Sequence, residues 1–270
     1  MKHAITIIFI FFFVISCQTN EKPINATPIV DKEELIKNFK RIIHGSWVQT
    51  SYVADISKTK SPLKSYKNLL DSIVEMMIDT SDIRNELLFI GADNLHEACS
   101  FFLYFEQGLS ATSFPIDSLK GNYSEIAYAI TNFDTVLMIN AYDKEKKIIH
   151  SAEYIKIPQS SVFASEYIVN KMLIAGTYTY INTADQPTTV IFTDDGHVTG
   201  FLGSTHYHVR TDFIDDFENN LDKMFISNII DGDLIHRRRE FAYKIEGDTL
   251  KLYNSSLGQL VELKYTLVKQ

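Results

Sequence analysis

Alternation of apolar and polar residues at a period of two, sustained through Gly176–Gln270, constrains this chain more than any other feature. Such a pattern sets one face of a strand against a core and the other against water. Turn residues interrupt it. Asp194-Asp195-Gly196, Asp231-Gly232-Asp233 and Glu246-Gly247-Asp248 are tight turns in which glycine supplies a positive φ, and Ser255-Ser256-Leu257-Gly258 is a looser one. The breaks delimit strands at Gly176–Asn182, Thr188–Thr193, His197–Leu202, Thr205–Ile214, Lys223–Ile230, Leu234–Glu246, Thr249–Asn254 and Gln259–Val268. Short strands in hairpin succession, with no crossover helix, predict an antiparallel meander, and closing it into a barrel removes its exposed edges. An open sandwich of the same strands satisfies the same pattern.

The faces follow from parity. Phe241, Tyr243 and Ile245 share one face of their strand, and Leu250 and Leu252 share one face of the next. With that apolar face inside, Arg237 and Arg239 stand in register with it towards one end of the barrel. In Thr205–Ile214, Tyr207, Val209 and Phe213 face in, while His206, His208, Arg210 and Asp212 face out.

A longer copy of the same order precedes this stretch. Leu35, Ile36, Phe39, Ile42 and Ile43 recur at helical spacing behind a capping-box-like Asp31/Glu34 start, and Gly45-Ser46-Trp47 and a strand-like Val48–Ile56 follow. In the second copy Ser160 or Ser161 caps a helix through Leu173, and Gly176-Thr177-Tyr178 follows. Tyr128–Leu137 resembles Tyr243–Leu250, and Lys147–Ile157 lies beside Gly258–Val268. The halves therefore read as a tandem repeat. The first carries an excess in Pro62–Asp79, where Leu63, Tyr66, Leu69, Leu70, Ile73, Val74 and Met77 keep a helical period. The expected fold is mainly β: two tandem antiparallel up-and-down β-barrels, each preceded by a short helix, with a helical insertion in the first. The expected domains are 31–157 and 158–270.

Ahead of them, Lys2 and His3 precede an apolar run, Ala4–Ile15, that is too short to span a bilayer but suits a signal peptide. It ends in Val14-Ile15-Ser16-Cys17, which resembles a bacterial lipoprotein lipobox. The resemblance implies cleavage after residues 1–16 and diacylation of Cys17, with palmitate as an acyl chain. Residues 17–30 then form a lipidated tether, since Gln18–Val30 holds two prolines and few large apolar residues. The expected address is the cell envelope, lipid-anchored to a membrane. Gln18 is not the Asp of inner-membrane retention, which favours the outer membrane where a cell has two. An ordinary secreted protein with an incidental Cys17 is the alternative.

The net charge of −8 and pI near 5.5 argue against a nucleic-acid partner. With Cys17 lipidated, Cys99 is the one thiol left, so no internal disulfide forms. Cys99 lies in an apolar strand, Ala98–Phe105, and is expected to be a buried small hydrophobe. His206 and His208 place two imidazoles on one strand face about 7 Å apart. Asp212 or His197 would be the third ligand of a metal site, but two ligands without a predictable third weigh less than a solvated strand, and no metal is expected. In His236-Arg237-Arg238-Arg239-Glu240, either a charged strand end meets water or Arg237 and Arg239 hold a carboxylate at the barrel mouth. There is no Gly-rich phosphate loop, no Gly-x-Ser-x-Gly elbow and no His-Glu-x-x-His. Asp194-Asp195 and Asp215-Asp216 suit solvated turns better than a catalytic dyad. No catalytic residue and no cofactor is expected.

Gly45-Ser46-Trp47 and Gly176-Thr177-Tyr178, each after a short helix and opening a first strand, resemble the Gly-x-Trp entry of lipocalins. Phe192–Val198 and Ile245–Leu250 are similar to runs in the lipocalin-like domains of bacterial lipoproteins. The second copy has Tyr178 for Trp, and neither final strand has the Arg that stacks on that Trp in lipocalins. The resemblance implies a small hydrophobic or amphipathic ligand inside a barrel. Tyr178, Tyr180, Phe192, Phe241, Tyr243 and Leu252 would line it, with Arg237 and Arg239 at the mouth. The alternatives are filled barrels that present loops to another envelope protein, and an enzyme working at the barrel mouth.

Overall fold

The protein was described from a computed structural model, which covers residues 32–69, 73–81, 83–84, 86–95, 97–130, 134–158, 162–181, 186–213, 221–230, 233–256 and 258–270. The signal peptide, Cys17, the tether, the Asp31 cap, and Ser160 and Ser161 lie outside these residues.

The first half runs α1 (Lys32–Ile43), β1 (Gly45–Gln49), α2 (Thr50–Thr59), α3 (Pro62–Asn68), β2 (Glu75–Ile78), β3 (Leu87–Asp93), β4 (Ala98–Tyr104), β5 (Ser113–Leu119), β6 (Asn122–Ile130), β7 (Thr135–Tyr142) and β8 (Ile148–Ile157). Its eight strands pair antiparallel in chain order, and β1 pairs with β8 to close the barrel. The second half runs α4 (Ala164–Val169), a π-helical turn (Asn170–Ile174), β9 (Gly176–Ile181), β10 (Pro187–Phe192), β11 (Val198–Thr199), β12 (His206–Val209), β13 (Lys223–Ile230), β14 (Asp233–Glu246), β15 (Thr249–Ser256) and β16 (Gln259–Lys269). These strands form an eight-stranded antiparallel sheet in the order β11-β10-β9-β16-β15-β14-β13-β12. The sheet is nearly closed. Between β11 and β12 lies one isolated bridge, His197 to His206, flanked by bonds from the Val198 N–H to the Thr205 carbonyl (2.9 Å) and the Tyr207 N–H to the Gly196 carbonyl (2.8 Å).

Three local expectations are corrected. Val48–Ile56 is not one strand: β1 stops at Gln49, and Thr50–Thr59 is helical with Tyr52 and Ile56, one turn apart, both buried. Pro62–Asp79 is not one helix. Ser61 caps α3 by accepting from the Lys64 N–H, with Pro62 in the first turn, and α3 ends at Asn68. Residues 75–78 are β2, in which Met76 and Ile78 are buried and Met77 is 67% exposed. The insertion is thus a pair of short helices. The strand expected over His197–Leu202 also shortens to β11, because Gly200, Leu202 and Gly203 all take positive φ. Gly200 lies so close to β10 that a Cβ there would collide with the Thr189 carbonyl.

The same latch stands at the start of each barrel. The Trp47 Nε1–H donates to the Ile43 carbonyl (2.7 Å), and the Tyr178 hydroxyl donates to the Ile174 carbonyl (2.8 Å), so each ring satisfies an acceptor at the end of the preceding helical segment. Lys156 on β8 lies 5.5 Å over the Trp47 ring, and Lys269 on β16 lies 5.8 Å over Tyr178. A lysine therefore takes the place where the lipocalin resemblance leads one to look for Arg. Gly45 (φ +124°) and Gly176 (φ +148°) open the two first strands, and a Cβ at either would strike the stem of its lysine.

There are two cores. The first barrel closes around Trp47, Leu88, Phe101, Phe114, Ile126 and Leu137, and α1 plugs its end by stacking Phe39 on Phe114 at 3.8 Å. The second core contains the inward side of β9–β16, and it also takes Val48, Tyr52, Ile56, Leu63 and Tyr66 from the first half. Strand β1 is shared by parity, with Trp47 in one core and Val48 in the other. The inserted helices pack on the neighbouring barrel: Tyr66 stacks on Phe213 at 5.1 Å, and the Leu63 N–H donates to Asp222 Oδ1 at 3.0 Å.

Candidate functional site

Parity in β12 sends Tyr207 and Val209 into the core and leaves His206 and His208 outside, as the alternation predicts. Outside this stretch, along the seam, lies a cleft of about 510 Å³. Its sides come from the turn between β10 and β11, from β12–β14, and from the segment leading into α4.

At its floor is Glu166 of α4, 3% exposed. Helix α4 is buried on every side, because it is packed against β1 and β2 of the first barrel and β12 of the second. Its first turn is held from the first barrel: Glu75 Oε2 on β2 accepts from the Ser165 N–H at 2.7 Å. Burial raises the Glu75 pKa, and that hydrogen bond opposes the rise. Next along the helix, Glu166 Oε1 comes within 2.8 Å of His208 Nδ1. The approach pairs charges when His208 is protonated but lacks hydrogen-bond alignment, and Glu166 Oε1 has no aligned donor. A buried carboxylate oxygen in that condition is uncommon.

The β10–β11 turn supplies a second acid–imidazole pair. Asp195 Oδ1 accepts from the Thr193 hydroxyl and lies 3.0 Å from His197 Nδ1. Those two contacts, the Thr193 hydroxyl first, hold the Asp195 carboxyl below its ordinary value. The His197 ring lies 4.6 Å from the His206 ring across the seam. Burial, then the charge of His197, lowers the His206 pKa, with Asp195 opposing. On the far side is Phe225. The guanidinium of Arg238 lies over its ring at 3.6 Å, and the His208 ring is near-parallel to it at 6.0 Å. Phe163, 70% exposed, stands at the rim.

The residues expected to line a hollow interior sit elsewhere. Tyr178, Tyr180, Phe192, Phe241, Tyr243 and Leu252 all belong to the second core. Their rings fill space by edge-to-face contact: Tyr178 on Phe192 at 5.7 Å, Phe192 on Tyr207 at 5.0 Å, Tyr180 on Phe201 at 5.3 Å, and Phe241 on Tyr265 at 5.7 Å. Tyr180 also borders a surface pocket beside Tyr265. Arg239 keeps the inward parity expected of it, opposite the buried Ile226, and is half-buried. The Arg237 side chain lies outside the described residues. The arginine at the cleft is Arg238, of the other parity. Sequence reasoning weighed His206 and His208, with His197, as metal ligands and Asp195 with Asp194 as an acid pair, and it did not place Glu166, Phe163, Phe225 or Arg238 at a site. The available signal was parity: Arg238 shares the outward face with Glu240, as His206 does with His208.

Among the described residues no group of three or more His, Cys, Asp or Glu is arranged to hold a metal ion. Cys99 is exposed rather than buried: it keeps the inward parity of Phe101 and Leu103, but Ala98, Cys99 and Ser100 are all exposed at the start of β4. Partial burial, then the Asp93 charge, raises its pKa and keeps it a thiol. Glu125, fully buried in the first barrel, is saturated. It accepts from the Leu109 N–H (2.6 Å) and the hydroxyls of Tyr123 (2.8 Å) and Tyr142 (3.2 Å), so it pins the β4–β5 loop. No protein family matches the chain, and no curated protein or solved structure matches it.

Proposed function

We propose that this is a membrane-anchored, non-catalytic binding protein of lipocalin-like build, which takes a small amphipathic ligand in the seam cleft of the second barrel rather than inside either barrel. The reading is carried by one observation: a cleft of about 510 Å³ with aromatic walls has at its floor a buried carboxylate oxygen without an aligned donor. That volume falls within the range of small-molecule sites, which are mostly apolar with a few placed polar groups. Support also comes from the aromatic filling of the second core, which leaves the outside of the sheet for recognition.

The anchor is the lipid on Cys17, and the address is the cell envelope, the outer membrane where a cell has two. No helix among the described residues is long and apolar enough to cross a membrane. Metabolic labelling with palmitate should mark the wild-type chain and not Cys17→Ala; equal labelling of both would remove the anchor. For the ligand, native mass spectrometry of the full chain should reveal a small-molecule adduct that Phe163→Asp depletes. The neutral fluorophore N-phenyl-1-naphthylamine should bind the wild type more tightly than Phe163→Asp. Absence of both adduct and fluorophore binding sinks the reading.

A second reading, an interaction module of the envelope, is favoured by an apolar stripe on the first barrel. Met77, Phe89 and Phe102 are 67%, 52% and 42% exposed, and Phe89 and Phe102 are cross-strand partners with rings 5.8 Å apart. It predicts cross-linking to another envelope protein that Phe89→Asp abolishes while fluorophore binding persists.

A further inference from the structure

We infer that the seam cleft selects a planar oxyanion, such as a carboxylate, carried on a short apolar body, and that Arg238 is the residue that grips it. This rests on the reading of the cleft as a ligand site and names the headgroup. From α4, Glu166 has His208 at 2.8 Å. From the β10–β11 turn, Asp195 has His197 at 3.0 Å. From β14, Glu240 has Lys223 of β13 at 3.1 Å. His206 has the Thr205 hydroxyl at 2.8 Å. Asp195 and Glu240 are thus paired with an imidazole and a lysine, and Glu166 Oε1 lies beside an imidazole without an aligned donor. Arg238 is different: it is exposed, its face is covered by Phe225, and no carboxylate among the described residues pairs with it.

Stacking fixes the plane of the guanidinium and leaves its N–H donors pointing outward around the edge. A fork held in one plane matches the two oxygens of a carboxylate bidentately, and the ordering cost falls on the protein before the ligand arrives. The apolar body lies against Phe163 and Val162 at the rim. An ammonium headgroup would meet Arg238 with repulsion, and an alcohol would leave the fork half used. Sequence parity hid this residue: Arg237 and Arg239 align with the core face, and the site is on the other side of the sheet.

The test compares 4-phenylbutyrate, 4-phenylbutanol and 4-phenylbutylamine, which share one apolar body, by calorimetric titration of the full chain in lipid nanodiscs, with empty nanodiscs as the blank. The expected result is at least a tenfold preference for 4-phenylbutyrate. Arg238→Gln should erase the preference, and Arg238→Lys should keep part of it, since charge survives and the planar fork does not. Circular dichroism checks that the variants fold. Equal binding of the three probes, or a preference that survives in Arg238→Gln, overturns the headgroup inference and leaves the cleft a ligand site. If none of the three binds, both the headgroup inference and the site reading fall.

Discussion

Tyr52 and Tyr243 bring hydroxyl groups into the second core, where their oxygens are buried and lack a hydrogen-bond partner. Burial, then the charge of Asp222, raises both phenol pKa values. An unsatisfied buried polar group costs about 1–3 kcal/mol, so deleting it removes a penalty and no bond. Tyr243→Phe should therefore keep or raise stability, read as an unchanged or higher urea midpoint. A loss above about 1 kcal/mol would mean that the hydroxyl is satisfied, for instance by an ordered water. Titration at the seam has a definite sign. His206 has a lowered pKa in the fold, so its contribution is present above the ordinary imidazole value, about 6.5, and is lost as pH falls below it towards the folded value. Asp195, also lowered, contributes above the ordinary carboxylate value and loses that contribution as pH falls through its folded pKa. Glu75 and Asp222 are raised by burial and act oppositely: what they contribute is present at low pH and lost as pH rises through their folded values. The clean measurement is a difference. Between about pH 7 and pH 5 the wild type should lose stability relative to His206→Asn; parallel pH profiles for the two proteins would remove His206 from the account.

The latch belongs to the level of the element. Trp47 and Tyr178 each tie the end of a helical segment to the first strand of a barrel, and each lies under a lysine from the last strand. Tyr178→Phe keeps the ring and its packing but leaves the Ile174 carbonyl without this donor, and should cost roughly 1 kcal/mol, measured as a lowered urea midpoint. A stability equal to wild type would show that the latch is packing alone. The helix–Gly–aromatic order was legible in sequence because it is local: the glycine is forced by backbone φ, and the aromatic ring lies at the reach of one helical turn. Lys156 and Lys269 were not legible in the same way, since their role depends on where the last strand closes against the first. The insertion was legible as apolar and helical, yet its limits were misplaced. Ile73-Val74-Glu75-Met76-Met77-Ile78 is so uniformly apolar that a helical and a strand period fit it equally. Pairing of β2 with β1 and β3 decides the matter.

At the scale of the molecule, the same logic explains why the barrels were readable and the cleft was not. Alternation reports which side of a strand meets a core, so two meanders follow from it. The cleft instead assembles a turn, an outer sheet face and a helix sandwiched between barrels. Glu166 reaches His208 because Glu75 of the other half holds Ser165, and no periodicity encodes such a contact. The shared core has a further consequence. Tyr52, Ile56, Leu63 and Tyr66 are buried in the second core although they precede Gly176 in the chain. At about 1.5–3 kcal/mol for each buried large apolar side chain, the inserted helices supply on the order of 6–12 kcal/mol of gross burial, comparable with the whole net stability of a domain. A fragment of residues 158–270 should therefore fail to fold alone, giving a poorly dispersed amide spectrum, while the full chain unfolds in one cooperative urea transition. Leu63→Ala, a cavity in the contributed helix, should lower that single midpoint by an amount equivalent to about 2–5 kcal/mol and should blunt tyrosine-monitored and circular-dichroism-monitored unfolding together. If the fragment instead gives a dispersed spectrum, or the full chain unfolds in two separate steps with Leu63→Ala moving one of them, then each barrel is self-sufficient. Glu166 would in that case be placed in the seam by a loose docking of two domains rather than by a common core.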